Sequence, residues 1–122
     1  MTQYDSTDTH LAPREVIGET LVAMGEQDPK LVVIDCDLGL STRLVPFEKR
    51  FPDRFIQLGS QEQNAIGVAT GFAYAGFHPV FVSFTMFSIG LPWTQIRMAA
   101  YSKVAFTIFI PRSSPGQFLE LC

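Results

Sequence analysis

Glu62 introduces a stretch with no Asp, Glu, Lys or Arg until Arg97. A carboxyl next to so much uncharged sequence is a candidate for proton transfer, because burial favours the protonated form of the group. Ser60-Gln61-Glu62-Gln63 also fits a capping box, with Ser60 as N-cap and Gln63 at the third helical position. In that arrangement Glu62 is a first-turn acid that complements the helix dipole. The pattern leaves both roles open. Asp35 and Asp37 flank Cys36 where an apolar run ends. An Asp-x-Asp pair can ligate a divalent cation, but acids at such a place more often accept hydrogen bonds from loop amides or cap a turn. The structural role is the expectation for Asp35, and Asp37 stays open between the two. Cys36 reads as a small buried hydrophobe. With Cys122 as the only other cysteine, there is neither a disulfide framework nor a metal-ligand spacing. Phe84 and Phe87 fall at i, i+3, as core residues or as a wall for a flat heterocycle. His78, beside Pro79, reads as structural. Arg97 follows Trp93 by four residues and can stack on that ring or pair with an acid.

Alternating helices and strands must position these groups. Pro13 suits a first helical turn, and Val16, Ile17, Thr20, Leu21 and Met24 predict one helix face running to about Gln27. Leu31-Val32-Val33-Ile34 reads as a strand covered on both faces. A short helix is expected over 42–50, with Leu44, Phe47 and Phe51 inward and Pro52 at its end. A second strand follows over 55–58. The next helix runs from Ser60 to about Ala75, carrying Ala65, Ala69 and Ala73 on one ridge and Gly67 and Gly71 on another. Small residues at such spacing allow close packing against the chain's own sheet, against a second subunit, or both. A third strand is expected over 78–83, a long helix from about Phe87 to Tyr101, and a fourth strand over 104–110. Short connections between alternating elements predict an α/β, three-layer fold: a parallel sheet with helices on both faces. Ligands of such sheets collect at the carboxyl ends of the strands. Here those ends carry Asp35 to Asp37, Gly59 to Glu62, and Ser83 to Phe87.

Composition narrows the partners. The chain has 122 residues and a net charge of −3, enough for one domain and too acidic for a phosphate-binding face, so nucleic acid is not expected. The uncharged stretch is broken by Gly76-Phe77-His78-Pro79, which argues against a membrane span and for a buried helix, a turn and a buried strand. So much uncharged surface in a small domain also points to a large interface. The N-terminus lacks the basic start and apolar core of a signal peptide, so a cytoplasmic location is the expectation. Residues 1–10 are read as a flexible N-terminus, 11–111 as the domain, and 112–122 as an atypical tail. A further αβ unit would follow strand 104–110, and its absence suggests truncation.

Three blocks taken together, "PKLVVIDCDLGLST", "FEKRFPDRFIQLGSQEQNAIGVATGFAYAG" and "HPVFVSFTMF…QIRMAAYSK", resemble the pyrimidine-binding domain of transketolases and deoxyxylulose-phosphate synthases. The likeness is greatest to the C-terminal section of split transketolases, and it covers about residues 13 to 104. The resemblance implies thiamine diphosphate as cofactor, bound between two protomers. It implies that Glu62, in the family's G-x-x-E-Q/H block, is catalytic through a bond to N1′ of the aminopyrimidine. Phe84 and Phe87 match aromatics that pack on the pyrimidine, and Asp37 matches an acid near the cofactor and the dimer contact. Gly90 stands where the family has a further aromatic. The implied activity is transfer of a two-carbon ketol unit between sugar phosphates. The family's Gly-Asp-Gly…Asn motif for the diphosphate is not present, so Mg²⁺ is expected on a partner, an N-terminal transketolase subunit, in a homodimer or heterotetramer. The isolated chain is expected to be inactive. Two other readings are a non-catalytic α/β interaction or regulatory domain, for instance a receiver using Asp35 and Asp37, and a degenerate inactive fragment.

Overall fold

The computed structural model describes residues 13–111. The first ten residues and the 112–122 tail therefore lie outside the described residues. Helix α1 (Pro13–Gln27) starts at the expected proline and leads into strand β1 (Leu31–Asp35). Helix α2 (Val45–Arg50), a 3₁₀ turn over Pro52–Arg54, strand β2 (Phe55–Gln57) and helix α3 (Glu62–Tyr74) follow. Strand β3 (His78–Val82), a π turn over Met86–Gly90, helix α4 (Trp93–Tyr101) and strand β4 (Thr107–Phe109) complete the order. All strand pairs are parallel, in the order β2-β1-β3-β4. The order reverses at β1, the geometry that leaves a crevice outside the strand ends.

Every residue of β1 is buried, as a strand covered on both faces requires. Leu31 and Val33 on β1, with Val80 and Val82 on β3, pack against Ile17 and Leu21 of α1 and Leu44 and Phe47 by α2. Ile34, Cys36 and Phe81 face the other way, onto Ala65, Ile66 and Ala69 of α3 and Ala99 of α4. These two cores make the three layers. The buried face of α1 is narrower than the periodicity predicts: Ile17 and Leu21 are inside, whereas Val16 and Met24 are exposed. Gly18 and Gly25 sit against the α2 region in their place, and a Cβ at Gly18 would lie 2.1 Å from the Arg43 carbonyl oxygen. Arg54 clamps the end of α1 by donating to the Asp28 and Gly25 carbonyls while its guanidinium lies 3.9 Å from the Phe51 ring centre.

The strand expected over 104–110 is shorter, Thr107–Phe109, the helix expected over 42–50 begins at Val45, and two further elements differ in kind. The helix expected from Phe87 to Tyr101 is interrupted: the π turn closes with the Leu91 amide on the Met86 carbonyl, and α4 begins only after Pro92. Proline has no N–H to donate, so a continuous ladder cannot pass through it. The helix expected from Ser60 begins two residues later, with Gln61 at the N-cap and no side-chain cap. Ser60 therefore forms no capping box. Among the described residues no helix is long and apolar enough to cross a membrane.

Candidate functional site

Three strand ends meet at the carboxyl edge of the sheet. At the first, Asp35 is fully buried and accepts hydrogen bonds from the Leu38 amide (3.2 Å) and the Gly39 amide (3.1 Å). It also accepts from Gln57 Nε2 at 2.6 Å, so the structural role expected of Asp35 is the one the geometry shows. Asp37, two residues on, is exposed and sits at φ 63°, in the left-handed region that Asp tolerates better than most residues. Its amide donates to Gln57 Oε1.

The second strand end carries Glu62. It is the first residue of α3 and only 9% exposed, although it is an acid on a helix terminus, where acids are ordinarily solvated. Helix α3 packs on the sheet through Ala65, Ile66 and Ala69, within the first two turns that follow Glu62. The ion pairs among the described residues are Arg50 with Glu26 and His78 with Asp28, and neither involves Glu62. Cys36 lies close by. Burial pushes its thiol up to about 11, the Gln61 backbone amide opposes that rise, and the negative charges of Glu62 and Asp35 add to it. Cys36 is thus the buried hydrophobe that its apolar context predicts.

The third strand end carries the aromatics. Phe84 is half-buried and its carbonyl accepts the amides of Phe87 and Ser88. Phe87, on the π turn, is 38% exposed. The side chain of Gln63 donates to the Leu91 carbonyl at 3.3 Å and so ties the first turn of α3 to this segment. All four candidates, Asp37, Glu62, Phe84 and Phe87, therefore lie just beyond the strand ends at one edge of one sheet, Glu62 at the start of α3 and Phe87 in the π turn. His78 lies at the opposite strand end, bonded to Asp28, consistent with its structural assignment. Arg97 reaches Tyr101, one helical turn on, and not Trp93. Two residues that sequence reasoning missed, Gln57 and Gln63, link these loops. Gln57 is the register partner of Asp35 across β1 and β2, and only the pairing of the strands discloses that.

A parallel sheet with a buried acid at a helix start and aromatics just past the neighbouring strand defines an α/β class of domain, and comparison with known proteins narrows it. Residues 9–117 match the family described as transketolase, pyrimidine binding domain. The chain belongs to that family. It is 45% identical over 92 residues to a Methanocaldococcus jannaschii protein provisionally described as a transketolase C-terminal section, covering 75% of this chain and 29% of that one. It is 38% identical over 81 residues to a 1-deoxy-D-xylulose-5-phosphate synthase of Desulforudis audaxviator, covering 66% of this chain and 13% of the synthase. A solved structure described as split gene transketolase, inactive β4 tetramer, superposes with a TM-score of 0.72 at 40% identity, covering 80% of this chain and 33% of its own. The chain thus spans no more than about a third of the relatives it matches.

Proposed function

We propose that this chain is the pyrimidine-binding part of a thiamine-diphosphate-dependent, transketolase-like enzyme that moves a two-carbon ketol unit between sugar phosphates. The observation that carries the reading is Glu62, a buried carboxyl at the start of a helix packed on the sheet, at the same sheet edge as Phe84 and Phe87. Such a group suits an aminopyrimidine. Its carboxyl holds a proton toward a ring nitrogen. Phe84 and Phe87 offer the flat apolar surface that a heterocycle stacks on. Asp37, exposed on the adjacent loop, lies at the cofactor's rim or at the subunit contact. When bound, thiamine diphosphate supplies the carbon nucleophile that carries the fragment. Glu62 holds and returns the proton at the ring nitrogen, and the aromatics orient the ring and exclude water.

A diphosphate with Mg²⁺ needs a different donor set. Among the described residues no group of three or more His, Cys, Asp or Glu is placed to hold a metal. The reading therefore assigns that half of the cofactor to a partner, an N-terminal transketolase subunit, in a cytoplasmic homodimer or heterotetramer. Exposed apolar side chains beside the site, including Leu91 (53%) and Trp93 (63%), suit a subunit contact. The description of the structural neighbour as an inactive β4 tetramer supports a section that needs a partner to turn over.

The test is ketol transfer by the chain assembled with its N-terminal partner and downstream segments. Glu62→Ala is expected to lower kcat by about 100- to 10,000-fold, the span of a lost general acid–base group. Glu62→Gln, which keeps the shape but cannot ionise to give up or take a proton, is expected to fall in the same range. Wild-type rates in either variant would overturn the assignment.

A further inference from the structure

We infer that Gln57 is a positioning residue, whose single carboxamide couples the loop bearing Asp37 to the loop that leads into Glu62. The inference rests on the reading of those two acids as cofactor-facing groups. Its geometric basis is independent of that reading.

Gln57 ends β2 and stands opposite Asp35 in the ladder. Its Nε2 donates to Asp35 Oδ2 at 2.6 Å, a short charge-assisted bond. Its Oε1 accepts from two backbone amides, Asp37 and Gly59, each at 2.9 Å. The amide has one orientation only, because its oxygen faces two N–H groups and its nitrogen faces a carboxylate. Asp35 in turn holds the Leu38 and Gly39 amides. The two residues whose amides Gln57 captures, Asp37 (φ 63°) and Gly59 (φ 69°), are both left-handed, so each loop turns where the carboxamide grips it. From Gly59 the coupling continues: the Gln61 amide bonds the Gly59 carbonyl at 2.7 Å, and α3 begins at Glu62. A displacement of Gln57 is therefore transmitted to both acids, although Gln57 touches no reacting atom.

The chemistry of the pair allows a specific test. In Gln57→Glu, a second carboxylate meets Asp35 at hydrogen-bond distance, and two such groups cannot both stay ionised without cost. A proton shared between them restores the bond, so the damage is expected to reverse at low pH. Asp35→Asn combined with Gln57→Glu exchanges donor and acceptor. The carboxamide introduced on β1 then donates through its nitrogen to the carboxylate introduced on β2, which still accepts the Asp37 and Gly59 amides. The Gly39 amide loses the acceptor that Asp35 Oδ2 gave it, and only the Leu38 amide keeps an oxygen, at the Oδ1 position.

Two measurements apply to Gln57→Glu, Asp35→Asn and the double variant. Amide hydrogen exchange in the chain itself, at Asp37 and Gly59, reads the coupling without any activity. In the assembled enzyme, the apparent affinity for thiamine diphosphate and kcat are followed with pH. Gln57→Glu is expected to speed exchange at both amides and weaken cofactor affinity by roughly tenfold at about pH 8, with both recovering at about pH 5.5. In the double variant, exchange at Asp37 and Gly59 is expected to recover at both pH values, whereas the Gly39 amide, which loses its acceptor, is expected to stay fast. Unchanged exchange at Asp37 and Gly59, or losses in the double variant equal to the two single losses combined, would overturn the coupling. Restored exchange with no movement of cofactor affinity in any variant would overturn the positioning role. Glu62→Ala in the same assay separates these failures from failure of the functional reading, since only the latter leaves that variant fully active.

Discussion

Cys36 lies between two acids, Asp35 and Glu62, whose charges both oppose its ionisation, and burial is the larger cause that lifts its thiol from 9.0 to about 11. Such a thiol is a poor nucleophile at neutral pH. With Cys122→Ser leaving one thiol, disulfide-reagent labelling of the folded chain near pH 8 is expected to be about 100-fold slower than labelling of the unfolded chain. The same shift has a stability consequence. The folded state keeps the proton that the unfolded state releases, so this contribution is intact below pH 9.0 and is lost as pH rises toward about 11. Asp28 shows the opposite sign. His78, and then the Lys30 amide, hold its carboxyl below the ordinary value of 3.8. Its contribution is present above that value and fades as pH falls through the lowered one. In His78→Ala, the Asp28 carboxyl followed by NMR is expected to titrate closer to 3.8.

At the scale of elements, the glycines of α1 and α3 have opposite surroundings. A Cβ at Gly18 would collide with the Arg43 carbonyl, whereas Cβ atoms at Gly67 and Gly71 would meet nothing within 4 Å. Gly18→Ala is therefore expected to cost about 1–3 kcal/mol or more in a denaturant melt, as overpacking against backbone does. Gly71→Ala is expected to stabilise the chain by about 0.5–1 kcal/mol through helix propensity. If the open ridge of α3 receives another backbone, the same substitution weakens assembly while raising the melting temperature. That divergence is the signature of an interface. The π turn carries a related message. It carries Phe87 and leads into Leu91, whose carbonyl accepts from Gln63 of α3, and π turns are frequent at functional sites.

For the molecule as a whole, the sheet separates two kinds of surface. The α1–α2 side closes over a core of large side chains, Leu44 and Phe47 among them. The side beside α3 and α4 leaves Met86, Leu91, Trp93, Met98 and Tyr101 exposed, large apolar side chains that suit a subunit contact. Trp93 is the chain's single tryptophan, so its fluorescence reports on this surface. Assembly is expected to shift its emission to the blue, and Trp93→Lys is expected to weaken association by roughly tenfold or more in sedimentation velocity.

Much of this arrangement was legible from residue order alone. Helical spacing over Val16 to Met24, the fully apolar run Leu31 to Ile34, alternating helices and strands with short connections, and a lone acid before thirty-four uncharged positions determine a parallel α/β fold and point to Glu62. Local chemistry suffices there, because hydrophobic periodicity and strand direction dictate which ends of the elements face the crevice. The break after Gly90 and the loss of the Ser60 cap were decided by backbone hydrogen bonding in three dimensions. So was the role of Gln57, which is an ordinary polar residue until β2 pairs in register with β1 and brings its amide against Asp35. Contacts between residues 22 positions apart depend on register, and register is a property of the assembled sheet.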